Sequence, residues 1–184
     1  MSNEATEYNA IILMGVSGCG KSTVGRLLAD ELGCRFIEGD EFHSHSNIAK
    51  MRAGHPLTDA DRWPWLDRIG KAMQIEMAKS RVAVASCSAL KQDYRDRLVA
   101  TIGVPTAFVL LDVDQAELFT RLQNRSDHFM HANLLESQLA SLERPTHEDN
   151  ALILDAGASP MELCKAIRQW MEFAHPNGNP VRQF

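Results

Sequence analysis

Apolar residues follow two rhythms along the chain. Residues 10–14 form an unbroken apolar run closed by Gly15, after which Val24, Leu27, Leu28 and Leu32 recur at helical spacing until Gly33 offers a stop. The pattern predicts strand, glycine loop, helix. Further strand-like runs at 35–37, 82–86, 107–111 and 151–154 are each separated from the next by helical pattern. Short, continuously apolar strands alternating with helices predict an α/β fold whose parallel sheet is covered on both faces.

Several predicted helices carry start signals. Thr58 precedes Asp61 by three residues, Asp114 precedes Glu117 likewise, and Ser159-Pro160 with Glu162 has the form of a capping box. Leu66, Ile69, Met73 and Met77 make one apolar stripe, and Leu163, Ile167, Trp170 and Met171 another; both read as core. Residues 114–124 predict a helix with Leu118 and Leu122 inward, followed by a second helix carrying Leu135, Leu139 and Leu142. Together they make a helical hairpin. The segment 176–184, rich in Pro, Asn and Gly, has no periodicity and is expected to fray.

At 184 residues the chain suits a single domain, 1–184, with a real core. Its composition, 45% hydrophobic and 23% charged, is that of a globular protein, and no stretch approaches the roughly 20 apolar residues that span a bilayer. The polar start, 1–9, lacks a secretory pattern, which predicts a cytoplasmic protein. Cys19, Cys34, Cys87 and Cys164 are scattered without metal-ligand spacing, so reduced thiols are expected. A formal net charge of -5 argues against general affinity for nucleic acid. Anionic ligands must then be held by a local cluster of cations.

Residues 15–22, GVSGCGKS, satisfy G-x-x-x-x-G-K-[ST] between a predicted strand and a predicted helix. Such a loop turns successive backbone N–H groups toward phosphate oxygens, and the helix N-terminus adds positive potential. Gly15, Val16, Ser17, Gly18, Cys19, Gly20, Lys21, Ser22 and Thr23 are thus candidate ATP contacts, with Lys21 on the β and γ phosphates and the Ser22 hydroxyl on Mg²⁺. The loop alone leaves ATPase, GTPase, nucleotide switch and metabolite kinase open, although no N-K-x-D guanine signature occurs. Cys19 lies near both Lys21 and a helix N-terminus, which favour thiolate, whereas a tightly wound loop would bury its sulfur.

After the second strand comes Glu38-Gly39-Asp40-Glu41-Phe42-His43, at the strand end where ligands of parallel sheets collect. Asp40 there is either an acceptor-site carboxylate or a turn aspartate. Asn47-Ile48-Ala49-Lys50-Met51, Gly54-His55-Pro56-Leu57 and Asp59-Ala60-Asp61-Arg62-Trp63-Pro64-Trp65-Leu66 form a polar stretch without a strong apolar stripe; Cys87-Ser88-Ala89-Leu90-Lys91 and Tyr94-Arg95 follow the third strand. In this order the segments resemble the small P-loop gluconate kinases, over residues 11–173. Glu38, Cys19 and Ser44 stand where such enzymes often carry Asp, Ser and Pro.

The resemblance implies a three-layer P-loop kinase fold with a five-stranded parallel sheet, similar to nucleoside monophosphate kinases, and a helical lid over about residues 114–145. It also implies transfer from ATP to D-gluconate, in a homodimer without nucleic-acid or membrane partners. By the same resemblance Asp40 orients and deprotonates the acceptor hydroxyl, and Lys91, Tyr94 and Arg95 hold the gluconate carboxylate and hydroxyls. His43 gains a substrate role, and His128 a weaker one. Lys50 and Arg62 are either added positive potential or ordinary salt-bridge partners. Arg121 and Arg125, four apart on one helical face, are either solvated charges or lid residues that swing onto the transferring phosphoryl group. Another sugar acid or a shikimate-like acceptor, and a nucleotide-gated binding module without turnover, stand as alternatives.

Overall fold

Backbone pairing joins the apolar runs into one parallel sheet in the order β2-β3-β1-β4-β5. The strands are β1 (Ala10–Met14), β2 (Phe36–Glu38), β3 (Ala83–Ser86), β4 (Thr106–Asp112) and β5 (Ala151–Asp155). Between and after them run α1 (Lys21–Leu32), α2 (His45–Arg52), α3 (Asp59–Ser80), α4 (Gln92–Ile102), α5 (Gln115–Gln123), α6 (Ala132–Ser141) and α7 (Pro160–Phe173). This computed structural model describes residues 8–123, 132–146 and 150–173. All five expected strands are present, with ends shifted by a residue or so.

Alternation along the strands divides the core in two. Ile11, Leu13, Val109, Leu111, Leu152 and Leu154 face Val24 and Leu28 of α1 and Leu163, Ile167 and Trp170 of α7. Ile12, Met14, Phe108 and Leu110 face Leu66, Ile69 and Met73 of α3 and Leu98 of α4. Each fully buried aliphatic side chain contributes about 1.5–3 kcal/mol relative to exposure, so these two layers supply most of the cohesion. Both apolar helix stripes are therefore core. Leu118 of α5 and Leu135 of α6 join the first cluster.

Local chemistry fixes the helix ends nearest the sheet's C-terminal edge. Thr58 and Asp61 form a complete capping box at the start of α3. Asp114 Oδ1 accepts from Ala116 N at 2.8 Å, and Ser159 and Glu162 bond reciprocally at α7. The helix α2 was not legible as one: its apolar positions are few, and it forms behind the Ser44 cap, whose hydroxyl accepts from Asn47 N at 3.1 Å. The chain moves from β1 outward to β2 and β3 on one side and to β4 and β5 on the other. A crevice consequently opens beyond β1, where ligands of such sheets bind.

Candidate active site

The phosphate loop leaves β1 at that crevice. Gly15 and Gly20 have φ of 129° and 103°, left-handed values that exclude ordinary side chains. A Cβ on Gly15 would also sit 3.0 Å from both Cys19 Sγ and Leu111 O. Lys21 Nζ donates to Gly15 O at 3.0 Å and Val16 O at 2.9 Å, closing the loop on itself. Ser22 is half-buried in the first turn of α1 and Thr23 is exposed. Cys19 is only 1% exposed, so the wound loop does bury its sulfur.

A second wall is built from the end of β2. Gly39 N donates to Ser86 Oγ at 3.0 Å, and Trp65 Nε1 donates to Gly39 O at 2.7 Å. Arg68 Nε donates to Phe42 O at 2.8 Å. Thus α3 holds the 39–42 turn against the sheet and presents Asp40, whose carboxylate is largely exposed. The His43 ring stacks on Trp65 with centroids 4.3 Å apart, and its side chain is 5% exposed. Burial pushes its pKa down to about 4; Arg62 and Arg68 push the same way, against the opposing pull of Asp40. His43 is therefore a neutral imidazole at neutral pH. Its Nε2 lies 3.9 Å from Asp40 Oδ1.

Between the walls lies a cavity of about 450 Å³ lined by Lys21, Asp40, His43, Arg62, Ser88 and Gln138, among others. Phosphate-loop lysine, carboxylate, neutral imidazole and guanidinium share one space. Arg52 of α2 lines it too. Sequence reasoning passed over Arg52, Ser88 and Gln138 because nothing in their spacing separates them from solvent-facing polar residues.

Other expected ligands are occupied elsewhere. Lys91 Nζ bonds both carboxylate oxygens of Asp59, at 2.8 and 3.0 Å, and the Tyr94 hydroxyl donates to the same carboxylate. The bonds from Lys91 and from Tyr94 hold the Asp59 pKa below the usual carboxylate range. Lys50 Nζ bonds Asp61 at 2.7 and 2.8 Å, which with Thr58 holds that carboxyl at about 2. Arg95 is 2% exposed and donates to Ala89 O and Glu143 O, each at 3.2 Å. Ala89 has φ of 41°, so Arg95 braces a left-handed turn beside Ser88. Lys91, Tyr94 and Arg95 are not among the lining residues of this cavity. Lys91 and Tyr94 tie the start of α4 to Asp59 at the start of α3. Arg121 falls within α5, its side chain outside the description, while Arg125 and His128 lie outside the described residues.

No group of three or more His, Cys, Asp or Glu side chains could hold a metal among the described residues. The Ser22 hydroxyl, in the first turn of α1, is an oxygen donor of the kind Mg²⁺ takes alongside nucleotide phosphates and waters. A further cavity of about 640 Å³ lies at the ends of β4 and β5, lined by Asp112, Asp114, Leu139, Arg144 and Asp155. Arg144 pairs there with Asp112 at 2.8 Å.

Residues 11–145 match the family model described as an AAA domain. The chain is 45% identical to a probable gluconokinase of Dictyostelium discoideum over 179 residues, covering 92% of this chain and 90% of that protein. It is 44% identical to a gluconokinase of Gluconobacter oxydans, covering 82% and 84%. The chain belongs to the gluconokinase family. A gluconokinase structure from Sinorhizobium meliloti superposes with a TM-score of 0.80 at 42% identity, over 92% of this chain and 94% of that one. A shikimate kinase from Aquifex aeolicus, at 20% identity and a TM-score of 0.57, shares the fold. Membership makes this chain an ATP-dependent carbohydrate kinase of the P-loop type. The 450 Å³ cavity opens beside Ser17 and Lys21 of the phosphate loop. Among the described residues no helix is long and apolar enough to cross a membrane.

Proposed function

We propose that the protein transfers the γ-phosphoryl group of ATP to the 6-hydroxyl of D-gluconate, giving 6-phospho-D-gluconate and ADP. The observation that carries this reading is the cavity that places Lys21 and Asp40 in one space with Arg62, in a chain whose relatives are gluconokinases. Arg62 is held by its own contacts, Nε to Leu57 O at 3.4 Å and the guanidinium 5.6 Å from the Tyr94 ring centroid. It is the preorganised cation for the gluconate carboxylate, with the Tyr94 ring beneath its guanidinium. His43, neutral and stacked, suits a sugar hydroxyl, and Lys50 steadies α2 through Asp61.

Phosphoryl transfer asks for positioning and charge neutralisation more than covalent help. Lys21 and the loop N–H groups of residues 15–23, apart from that of Ser17, which Gln138 accepts, hold the phosphates. Asp40 accepts the proton of the acceptor hydroxyl as the new P–O bond forms. Mg²⁺, when bound at Ser22 and the phosphates, supplies further charge neutralisation. Arg121, Arg125 and His128 are the lid residues that act on the transferring group. We place the reaction in the cytoplasm and in a homodimer.

Coupled ADP release tests the reading. Gluconate should stimulate turnover far above the basal rate, and glucose, which lacks the carboxylate, should not. Asp40→Asn should lower kcat by about 10²-fold with ATP affinity nearly intact. Equal turnover of glucose would remove the carboxylate site, and normal kcat in the variant would make Asp40 structural.

A further inference from the structure

Helix α6 is tied at two points, to the turn after α2 and to the phosphate loop itself. Gln138 Oε1 accepts from Ser17 N at 2.7 Å. Near the start of the same helix, Asn133 Nδ2 donates to Gly54 O at 2.6 Å, tying it to the turn after α2. Gln138 and Ser17 line the cavity together with Lys21 and Asp40.

The polarity of the Gln138 contact is fixed. A backbone N–H can only donate, so the amide oxygen faces Ser17 and the amide –NH₂ becomes the remaining polar group of the side chain. Among the described residues that –NH₂ donates to nothing. It sits in a space whose other polar groups are those that meet a phosphoryl group and an acceptor hydroxyl, and a pure donor matches oxygen. A simple latch between helix and loop would need only the oxygen end.

We infer that Gln138 is a further catalytic contact: its Oε1 reads the phosphate-loop N–H of Ser17 while its Nε2 donates to an oxygen of the transferring phosphoryl group or of the acceptor. Docking of α6 and placement of this donor are then one event, so the donor is in position only when the helix is seated on the loop. No bond to Gln138 forms or breaks in the reaction. The inference rests on the kinase reading above.

Two substitutions separate donor from latch. Gln138→Glu keeps the length and an acceptor for Ser17 N–H but replaces both N–H donors with negative charge; Gln138→Ala removes both ends. Steady-state kcat and KM for ATP and gluconate are measured for both variants, with ADP affinity as a reference because ADP lacks the γ-phosphoryl group. Circular dichroism melting establishes that each is folded. Gln138→Ala should lower kcat/KM by about 10-fold, the loss of one hydrogen bond to a charged group. Gln138→Glu should lower it by about 10²-fold or more, since like charge against the phosphoryl oxygens adds to the loss. ADP should bind all three proteins alike. Activity of Gln138→Glu equal to or above that of Gln138→Ala overturns the proposal, because a latch works as well with a carboxylate. Failure of the wild type to phosphorylate gluconate would instead sink the acceptor assignment. The comparison would then be made on basal ADP release to water, where the same ordering of variants decides.

Discussion

The Cys19 thiol lies two residues before Lys21, at a helix N-terminus, a position where sequence alone points to a reactive cysteine. Burial settles its chemistry the other way, because an alkylating reagent cannot reach a sulfur that is 1% exposed beneath Gly15. Cys87, at the end of β3, is also buried, and desolvation pushes its thiol up to about 12. Burial raises Cys164 to about 11 as well, and it raises the half-buried Cys34. The folded enzyme at about pH 7.5 should therefore keep its activity in iodoacetamide while unfolded protein labels fully. Mass-spectrometric mapping should find any native label at Cys34; prompt inactivation with label on Cys19 would contradict the packing. Residue type and neighbours along the chain were legible in the sequence. Depth was not, since it depends on where the loop winds in three dimensions. Depth was equally hidden for Arg95, whose guanidinium is buried against the carbonyls of Ala89 and Glu143.

At the scale of elements, the 39–42 turn shows how a strand end positions a carboxylate. Gly39 has no room for a side chain: a Cβ there would sit 2.0 Å from Ser86 O, a backbone atom of the neighbouring strand. Gly39→Ala must displace the turn from β3, strain the Ser86 Oγ and Trp65 Nε1 bonds and move Asp40 with it. It should destabilise the fold by about 2–4 kcal/mol in urea unfolding and lower kcat together with stability. Gly33→Ala is the contrast, since its Cβ meets nothing and only its φ of 69° resists. That variant should lose about 1 kcal/mol and keep its kinetics. Equal costs at the two positions would mean that the turn is not clamped. Periodicity exposed the strands and the long helices because their apolar stripes are strong. It missed α2, which is held by the Ser44 cap, by Asn47 Nδ2 on Asp61 O at 2.9 Å and by Lys50 on the Asp61 carboxylate, contacts that leave no stripe. Strand order was equally invisible, because pairing of β1 with both β3 and β4 joins segments far apart in sequence.

Over the whole molecule, the cavity wall that carries His43 also sets how stability answers to pH. His43 titrates at about 4 when folded and near 6.5 when unfolded, because burial, together with Arg62 and Arg68, disfavours the imidazolium more than Asp40 favours it. Between these values the unfolded chain binds a proton that the folded one refuses, so stability must fall as pH drops from about 6.5 to 4 and level off below. The carboxylates act in the same direction in a lower window. Asp61 is held at about 2 by Lys50 and Thr58, and Asp59, Asp67 and Glu76 are also depressed by their partners. Their contributions are complete above the unfolded carboxylate range and disappear as pH falls through the folded values. Two separate declines should therefore appear when melting temperature is followed from about pH 8 to 2. His43→Gln, which removes the titrating ring, should flatten the upper decline and leave the lower one in place. An unchanged upper decline in that variant would show that the stacked imidazole is not its source, and that the site wall at Trp65 accepts a proton without cost.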